Sequence, residues 1–161
     1  MKTVLISGSF DPVTRGHAAL FARAARLFDR VEVVIFDNSQ KKTLFTAEER
    51  LAFLKKVCAI CGEHVTAARA TGTVADYAKT HQIHAILKGV RNANDLIYEQ
   101  DMASLNLLAG GPETIFLPTE PALSYISSSA VREFLLHGLP VKDLLPEVVL
   151  SDIVTAYERK R

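Results

Sequence analysis

The chain lacks most of the features by which small proteins declare their class. It holds two cysteines in 161 residues, too few for the disulfide framework of a small secreted domain. The two sit together as Cys58 and Cys61 with His64 three residues on, and no second cysteine pair completes the four ligands of a structural zinc site. A redox CxxC draws its low pKa from a helix N-terminus, whereas this one falls at the end of a predicted helix, where the dipole opposes a thiolate. The pair reads as two small apolar helix residues. Charge of one sign is also missing. Nineteen Lys and Arg against eighteen Asp and Glu give a formal charge of +1, without the broad basic excess of a duplex-binding surface. No nucleic-acid partner is expected, and any phosphate recognition must be local. No apolar run approaches the ~20 residues of a membrane span, and the opening MKTVLISGSFDP lacks the apolar core and cleavage site of a secretory signal. The reading is a cytoplasmic protein with no membrane partner. Repeats, low-complexity tracts and long Pro/Gly/Ser linkers are absent too, which makes residues 1–161 one expected domain. A chain of this size buries roughly 70% of its unfolded surface and needs neither disulfide nor metal to fold.

What is present is an alternation of short β-branched runs with longer stretches of helical period, the pattern of βαβ units and a parallel sheet. Strands are predicted at Thr3–Ser7, Val31–Phe36, His64–Ala68, His84–Lys88 and Thr114–Leu117. Helices are predicted from Gly16 to Phe28, from a capping box of Thr46 with Glu49, at Val74–His81, Asp95–Leu108 and Ser129–Leu136, and from Pro146 to the end, with Pro146 at the first helical position. The expected fold is α/β, a Rossmann-like five-stranded parallel sheet with helices on both faces. Ligands of such sheets sit beyond the carboxyl ends of the strands, so the loops there should carry the chemistry.

Four of those loops are unusual. The first, Gly8-Ser9-Phe10-Asp11-Pro12-Val13-Thr14-Arg15-Gly16-His17, joins a strand to a helix. Gly8 lets main chain come close to a ligand, and the helix start offers free N–H groups and a positive dipole end, with His17 in its first turn. It has neither the GK[ST] of a P-loop nor a GxGxxG fingerprint. The second loop carries Lys41 and Lys42 just before the capped helix. The third, Lys88-Gly89-Val90-Arg91-Asn92, puts two cations around a glycine, a compact anion receptor, ahead of a helix bearing Asp95, Tyr98, Glu99, Met102 and Asn106. The fourth, Tyr125-Ile126-Ser127-Ser128-Ser129-Ala130-Val131-Arg132, opens a helix with three serines whose hydroxyls and N–H groups suit a second phosphate cluster. Each loop alone is compatible with a solvated cap or turn. Together, in a chain of neutral balance, they point to a nucleoside triphosphate and a second phosphorylated substrate.

GSFDPVTRGH, the NSQKK loop with FTAEER behind it, the LKGVRN-D-YE segment and YISSSAVRE, in this order and spacing, resemble the phosphopantetheine adenylyltransferases of the nucleotidylyltransferase superfamily over essentially the whole chain. Nicotinate-mononucleotide adenylyltransferases share GSFDP but have His where this chain has Thr14, and cytidylyltransferases likewise favour HxGH. A non-catalytic nucleotide sensor would have no need of His17. The resemblance implies transfer of AMP from ATP to 4'-phosphopantetheine, giving dephospho-coenzyme A and pyrophosphate, the penultimate step of coenzyme A synthesis. It implies an ATP site at Gly8, Ser9, Phe10, His17, Gly89, Val90, Arg91 and Glu99 and along Leu123, Ser124, Tyr125, Ile126, Ser127, Ser128 and Ser129. Phosphopantetheine would meet Ser9, Lys41, Val74 and Lys88, with Tyr98, Met102 and Asn106 walling its arm. Mg²⁺ dependence, inhibition by coenzyme A and a homohexamer built as a dimer of trimers are further implications. Three residues depart from the family pattern: Ser9 stands for Thr, Lys88 for Arg, and Leu123 for an aromatic beside the adenine.

A phosphate monoester is largely a dianion at pH 7, its second pKa lying near 6, so the acceptor needs no base. The reaction needs two polyanions held in line and charge stabilised at the α-phosphate. His17 is assigned to the α-phosphate, Lys41 and Ser9 to the bridge between acceptor and transferring group, and Lys88 to the acceptor. Arg91 and the Ser127–Ser129 turn, Ser128 included, take the β- and γ-phosphates. Mg²⁺ is expected on ATP oxygens rather than in a protein cage.

Overall fold

The computed structural model describes residues 1–36 and 42–161. Its centre is a sheet of five parallel strands: β1 (Thr3–Gly8), β2 (Arg30–Phe36), β3 (Val65–Ala70), β4 (Ala85–Val90) and β5 (Thr114–Pro118), in the order β3-β2-β1-β4-β5. The helices are α1 (Arg15–Leu27), α2 (Ala47–Cys61), α3 (Val74–Thr80), α4 (Ala93–Leu108), α5 (Ser128–Leu136) and α6 (Glu147–Glu158), with one 3₁₀ turn at Pro121–Leu123. Among the described residues no helix is long and apolar enough to cross a membrane.

Strand periodicity decides which side chains meet which helices. In β1, Val4 and Ile6 face one way, Leu5 the other, and all three are buried. Val4 and Ile6, with Val31, Val33 and Ile35 of β2, join Phe21 of α1, Leu54 and Val57 of α2, Val131 of α5 and Ile153 of α6 in the larger core. Leu5, Val34 and Ile86 pack with Ala78 and Ile83 in a smaller core under α3. Because both faces are covered, the central strands read as continuous apolar runs, as parallel sheets do.

β1 pairs with β2 on one side and with β4 on the other. The chain reverses its direction of winding there, so a crevice opens at the carboxyl ends of β1 and β4.

The boundaries differ from the sequence expectation where main-chain pairing continues past the β-branched run. β1 extends through Gly8, and β4 runs two residues further to Val90, with Gly89 opposite Leu117 and Val90 opposite Pro118. α4 begins at Ala93 rather than Asp95 because Asn92 caps it, accepting the Asp95 N–H at 3.0 Å. Pro146 is the N-cap of α6 rather than its first helical residue, its ψ of 136° being extended. The CxxC closes α2: Cys58 is buried, Cys61 is the last helical residue, and both are free thiols. Burial pushes the Cys58 thiol up to about 12, with Cys61 as a second cause, so neither the position nor the protonation favours a reactive thiolate.

Candidate functional site

A cleft of about 630 Å³ opens at the predicted edge of the sheet. The β1–α1 junction forms its floor and is almost entirely buried: Phe10, Asp11, Pro12, Val13 and Thr14 all lie inside. Thr14 is the N-cap of α1, and its side chain with His17 makes a capping box in which an imidazole replaces the usual Glu or Gln. The Thr14 main-chain N–H donates to Nδ1 of His17 at 3.0 Å. An amide N–H can only donate, so Nδ1 is the bare nitrogen and the ring proton sits on Nε2. Burial, followed by the charge of Arg91, lowers the His17 pKa from 6.5 to about 4. His17 is therefore a neutral donor at physiological pH, on the first turn of a helix whose dipole favours anions.

Phe10 holds this arrangement from below. Its backbone adopts φ 45°, a left-handed conformation that costs a non-glycine residue energy unless its surroundings fix it. The ring lies edge-on to His17 at 5.0 Å and to Phe21 at 5.7 Å. Gly8 is demanded by the same ring, since a Cβ there would stand 2.9 Å from Phe10 Cζ. Close approach of a ligand, the reason expected from sequence, is thus joined by a stronger one internal to the fold.

The cation-bearing junction of β4 and α4 forms one wall. Lys88 Nζ donates to the Ser7 carbonyl at 3.1 Å and lies 3.5 Å from Glu99 Oε2. Arg91 is engaged with Asp95, Nε donating to Oδ2 at 2.8 Å and Nη2 to Oδ1 at 3.1 Å. That hydrogen bond from Arg91 is the main cause holding the Asp95 carboxyl below its ordinary range. A guanidinium has five N–H donors, so Arg91 keeps donors for a phosphate while its orientation is set. Opposite stands the start of α5. Ser127 is its N-cap, accepting the Ala130 N–H at 3.0 Å, and Ser128 Oγ donates to the Pro12 carbonyl at 2.8 Å, tying this helix to the first loop.

Of the residues singled out from sequence, Gly8, Ser9, Phe10, His17, Val74, Lys88, Gly89, Arg91, Tyr98, Glu99, Ile126, Ser127, Ser128 and Ser129 line this one cleft. Lys41 lies outside the described residues. Val90, Leu123, Ser124 and Tyr125 lie outside the lining, Leu123 packing instead against the larger core. Met102 and Asn106 also stand apart from it. α4 rises about 1.5 Å per residue and carries them roughly 5 and 10 Å beyond Glu99 along its axis. Asp11, Thr14, Lys42 and Arg132 also line the cleft; the sequence places them in the unusual loops but gives them no individual role. Arg132 had a usable signal: it lies four residues after Ser128, on the same helix face, and its Nη1 reaches the Asp11 carbonyl at 2.6 Å.

A donor imidazole, several cations and two helix starts around one crevice are what a polyphosphate-handling site requires, and comparison with known proteins agrees. The Cytidylyltransferase-like family model matches residues 5–134. A phosphopantetheine adenylyltransferase of Streptomyces coelicolor is 41% identical over 151 residues, covering 94% of both chains. One from Frankia casuarinae is 36% identical over 156 residues, 95% of this chain and 96% of its own. One from Actinobacillus pleuropneumoniae is 40% identical over 149 residues, 92% and 94% of the respective lengths. With matches of this identity running nearly end to end, the chain belongs to the cytidylyltransferase-like family and, within it, to the phosphopantetheine adenylyltransferases.

Proposed function

We propose that the cleft transfers the adenylyl group of ATP to 4'-phosphopantetheine, releasing pyrophosphate and forming dephospho-coenzyme A. The carrying observation is the neutral His17, its Nε2–H left free by the bond from Thr14 to Nδ1, in a cleft lined by Lys42, Lys88, Arg91 and Arg132.

In this reading a phosphate oxygen of the acceptor, already anionic at pH 7, attacks the α-phosphorus. The new O–P bond forms as the bond to the β-phosphate oxygen breaks, and pyrophosphate leaves with that electron pair. No proton has to be removed. His17 donates from Nε2 to an α-phosphate oxygen, where charge builds in the transition state, and as a preorganised donor it need not reorganise at the moment of reaction. Lys88, with Ser9 and Lys41, holds the acceptor phosphate. Arg91 and the Ser127–Ser129 turn, with Ser128, hold the β- and γ-phosphates, while Val74 and Tyr98 bound the pantetheine arm.

Mg²⁺ fits as a companion of the nucleotide rather than as a resident of a protein cage. Among the described residues no cluster of three His, Cys, Asp or Glu could hold a metal, and the acidic groups of the cleft are engaged elsewhere: Asp11 accepts two main-chain N–H groups and Glu99 faces Lys88. When bound through ATP oxygens the ion neutralises phosphate charge.

We also propose that residues 1–161 work as one domain, that copies assemble into a hexamer, and that coenzyme A, which contains the product's groups, inhibits by occupying the same cleft. Support for assembly comes from α4, which has no buried residue and leaves Ile97, Leu105 and Leu108 exposed, as β5 leaves Ile115. The cytoplasm, where ATP is available, is the proposed location.

The test is pyrophosphate release from ATP and Mg²⁺ with and without 4'-phosphopantetheine, with dephospho-coenzyme A identified by mass. Acceptor-dependent release of both products is expected. No release with this acceptor, while CTP or another phosphorylated acceptor is turned over, would overturn the reading.

A further inference from the structure

Two buried charged side chains, Asp11 in the cleft lining and Arg50 outside it, have no part in the reaction described above. Asp11 is 5% exposed and Arg50, in the first half of α2, 7%. Asp11 Oδ2 accepts the N–H of Leu44 and Oδ1 that of Phe45, both at 2.9 Å. Arg50 Nη1 donates to the carbonyl of Ser9 at 2.7 Å and its Nε to the carbonyl of Phe45 at 3.2 Å. Two side chains thus make four bonds between the same pair of segments, residues 9–11 of the first loop and residues 44–45 after the lysines. The Asp11 carbonyl also receives Arg132 from α5.

Burying a carboxylate and a guanidinium costs desolvation that apolar residues of similar volume would avoid, so such groups are weak devices for stability alone. Here they fix a distance. One segment carries Ser9 and leads to His17; the other begins with Lys42, which lines the cleft. The sequence separation between them, 33 residues from Asp11 to Leu44, leaves no local constraint to do so.

We propose that Asp11 and Arg50 are positioning residues for adenylyl transfer. They lock the segment that starts at Lys42 to the His17 loop, so that the Lys42 side of the cleft and the donor at the α-phosphate keep a fixed spacing. The inference rests on the adenylyltransferase reading above. Neither side chain touches the reacting atoms.

Asp11→Asn keeps the shape but turns one acceptor into an NH₂ group facing an N–H, and Arg50→Lys keeps the charge but replaces the planar fork, whose separate nitrogens serve the two carbonyls, with a single ammonium. Both variants are assayed well below their melting temperatures, with kcat and KM for each substrate, alongside amide hydrogen exchange at Leu44 and Phe45. The expected result is faster exchange at one or both amides and a kcat lower by on the order of 10- to 100-fold, the cost of a displacement of about 1 Å. KM for ATP should stay within about threefold of the parent while KM for phosphopantetheine rises. Folded variants that keep kcat within threefold, or lose activity only in proportion to their unfolded fraction, would overturn the proposal. So would failure of both variants to fold, which would assign the pair to stability. An inactive parent would sink the adenylyltransferase reading instead, and the exchange experiment would still report whether the two segments are locked.

Discussion

The two strand-to-helix junctions that build the cleft are made in opposite ways. Between β1 and α1, every residue from Phe10 to Thr14 is buried, the capping box closes on His17, and Phe10, Arg50 and Arg132 tie the loop to α1, α2 and α5. Between β4 and α4, residues 91–94 are exposed, no residue of α4 is fully buried, and the junction is held by the Arg91–Asp95 pair and the Asn92 cap. The difference follows the work each would do. A donor that must meet one oxygen in one transition state is effective only if its surroundings leave it a single position. Cations that grip flexible polyanions tolerate, and gain from, some freedom.

The largest effect is expected where the rigid junction is broken chemically but not structurally. His17→Ala should fold, leave both KM values within a few-fold of the parent, and lower kcat by the ~2.7–4 kcal/mol typical of one preorganised donor; steady-state kinetics at pH 7.5 would read it. Lys88→Ala, on the open side, should act on binding. Removing its charge should raise KM for phosphopantetheine by about 1.5–3 kcal/mol, more than for ATP, because Glu99 then faces the incoming dianion unneutralised. Added salt should narrow the gap from the parent, and equal effects on both KM values would show that Lys88 does not hold the acceptor.

Thr14→Val sharpens the comparison further. It removes the hydroxyl of the N-cap at a cost of about 1 kcal/mol, a fall of roughly 2–4 °C in Tm for a chain of this size. The N–H that holds Nδ1 belongs to the main chain, so kcat should change far less than Tm; a large drop in kcat would show that the hydroxyl, not the amide, sets the ring. The smallest effect on the fold is expected from Leu105→Glu on α4, exposed at 58%. It should cost less than about 0.5 kcal/mol in the isolated chain yet shift sedimentation from an assembled species towards the 17.7 kDa monomer.

The open and rigid junctions were not equally legible in the sequence. Strand identities followed from runs such as Val31–Phe36, and the placement of His17 followed from Gly8 and the helix start behind it, because these signals are local. The direction of α4 was not local. Its apolar residues give no stripe to orient it against the sheet, so the sequence alone does not separate Met102 and Asn106 from Tyr98 and Glu99. Asp11 meets Leu44 and Phe45 at separations of 33 and 34 residues, and Arg50 meets Ser9 at 41, beyond the reach of any periodicity. Gly8 was picked out for a ligand and turned out to make room for Phe10, a contact formed only once residue 10 takes its left-handed φ.

The proposed transfer depends on His17 being a neutral donor with its proton on Nε2. Burial favours the uncharged ring in the folded state, so the unfolded chain binds this proton at higher pH. The stability due to neutral His17 is complete above pH 6.5 and is lost as pH falls from there through about 4. The direct measurement is a ¹⁵N NMR titration of the histidine rings, with His17 assigned by comparison with His17→Ala. A His17 midpoint near 4 and an Nε2–H tautomer at pH 7 are expected. A midpoint near 6.5, or a proton on Nδ1, would contradict the account.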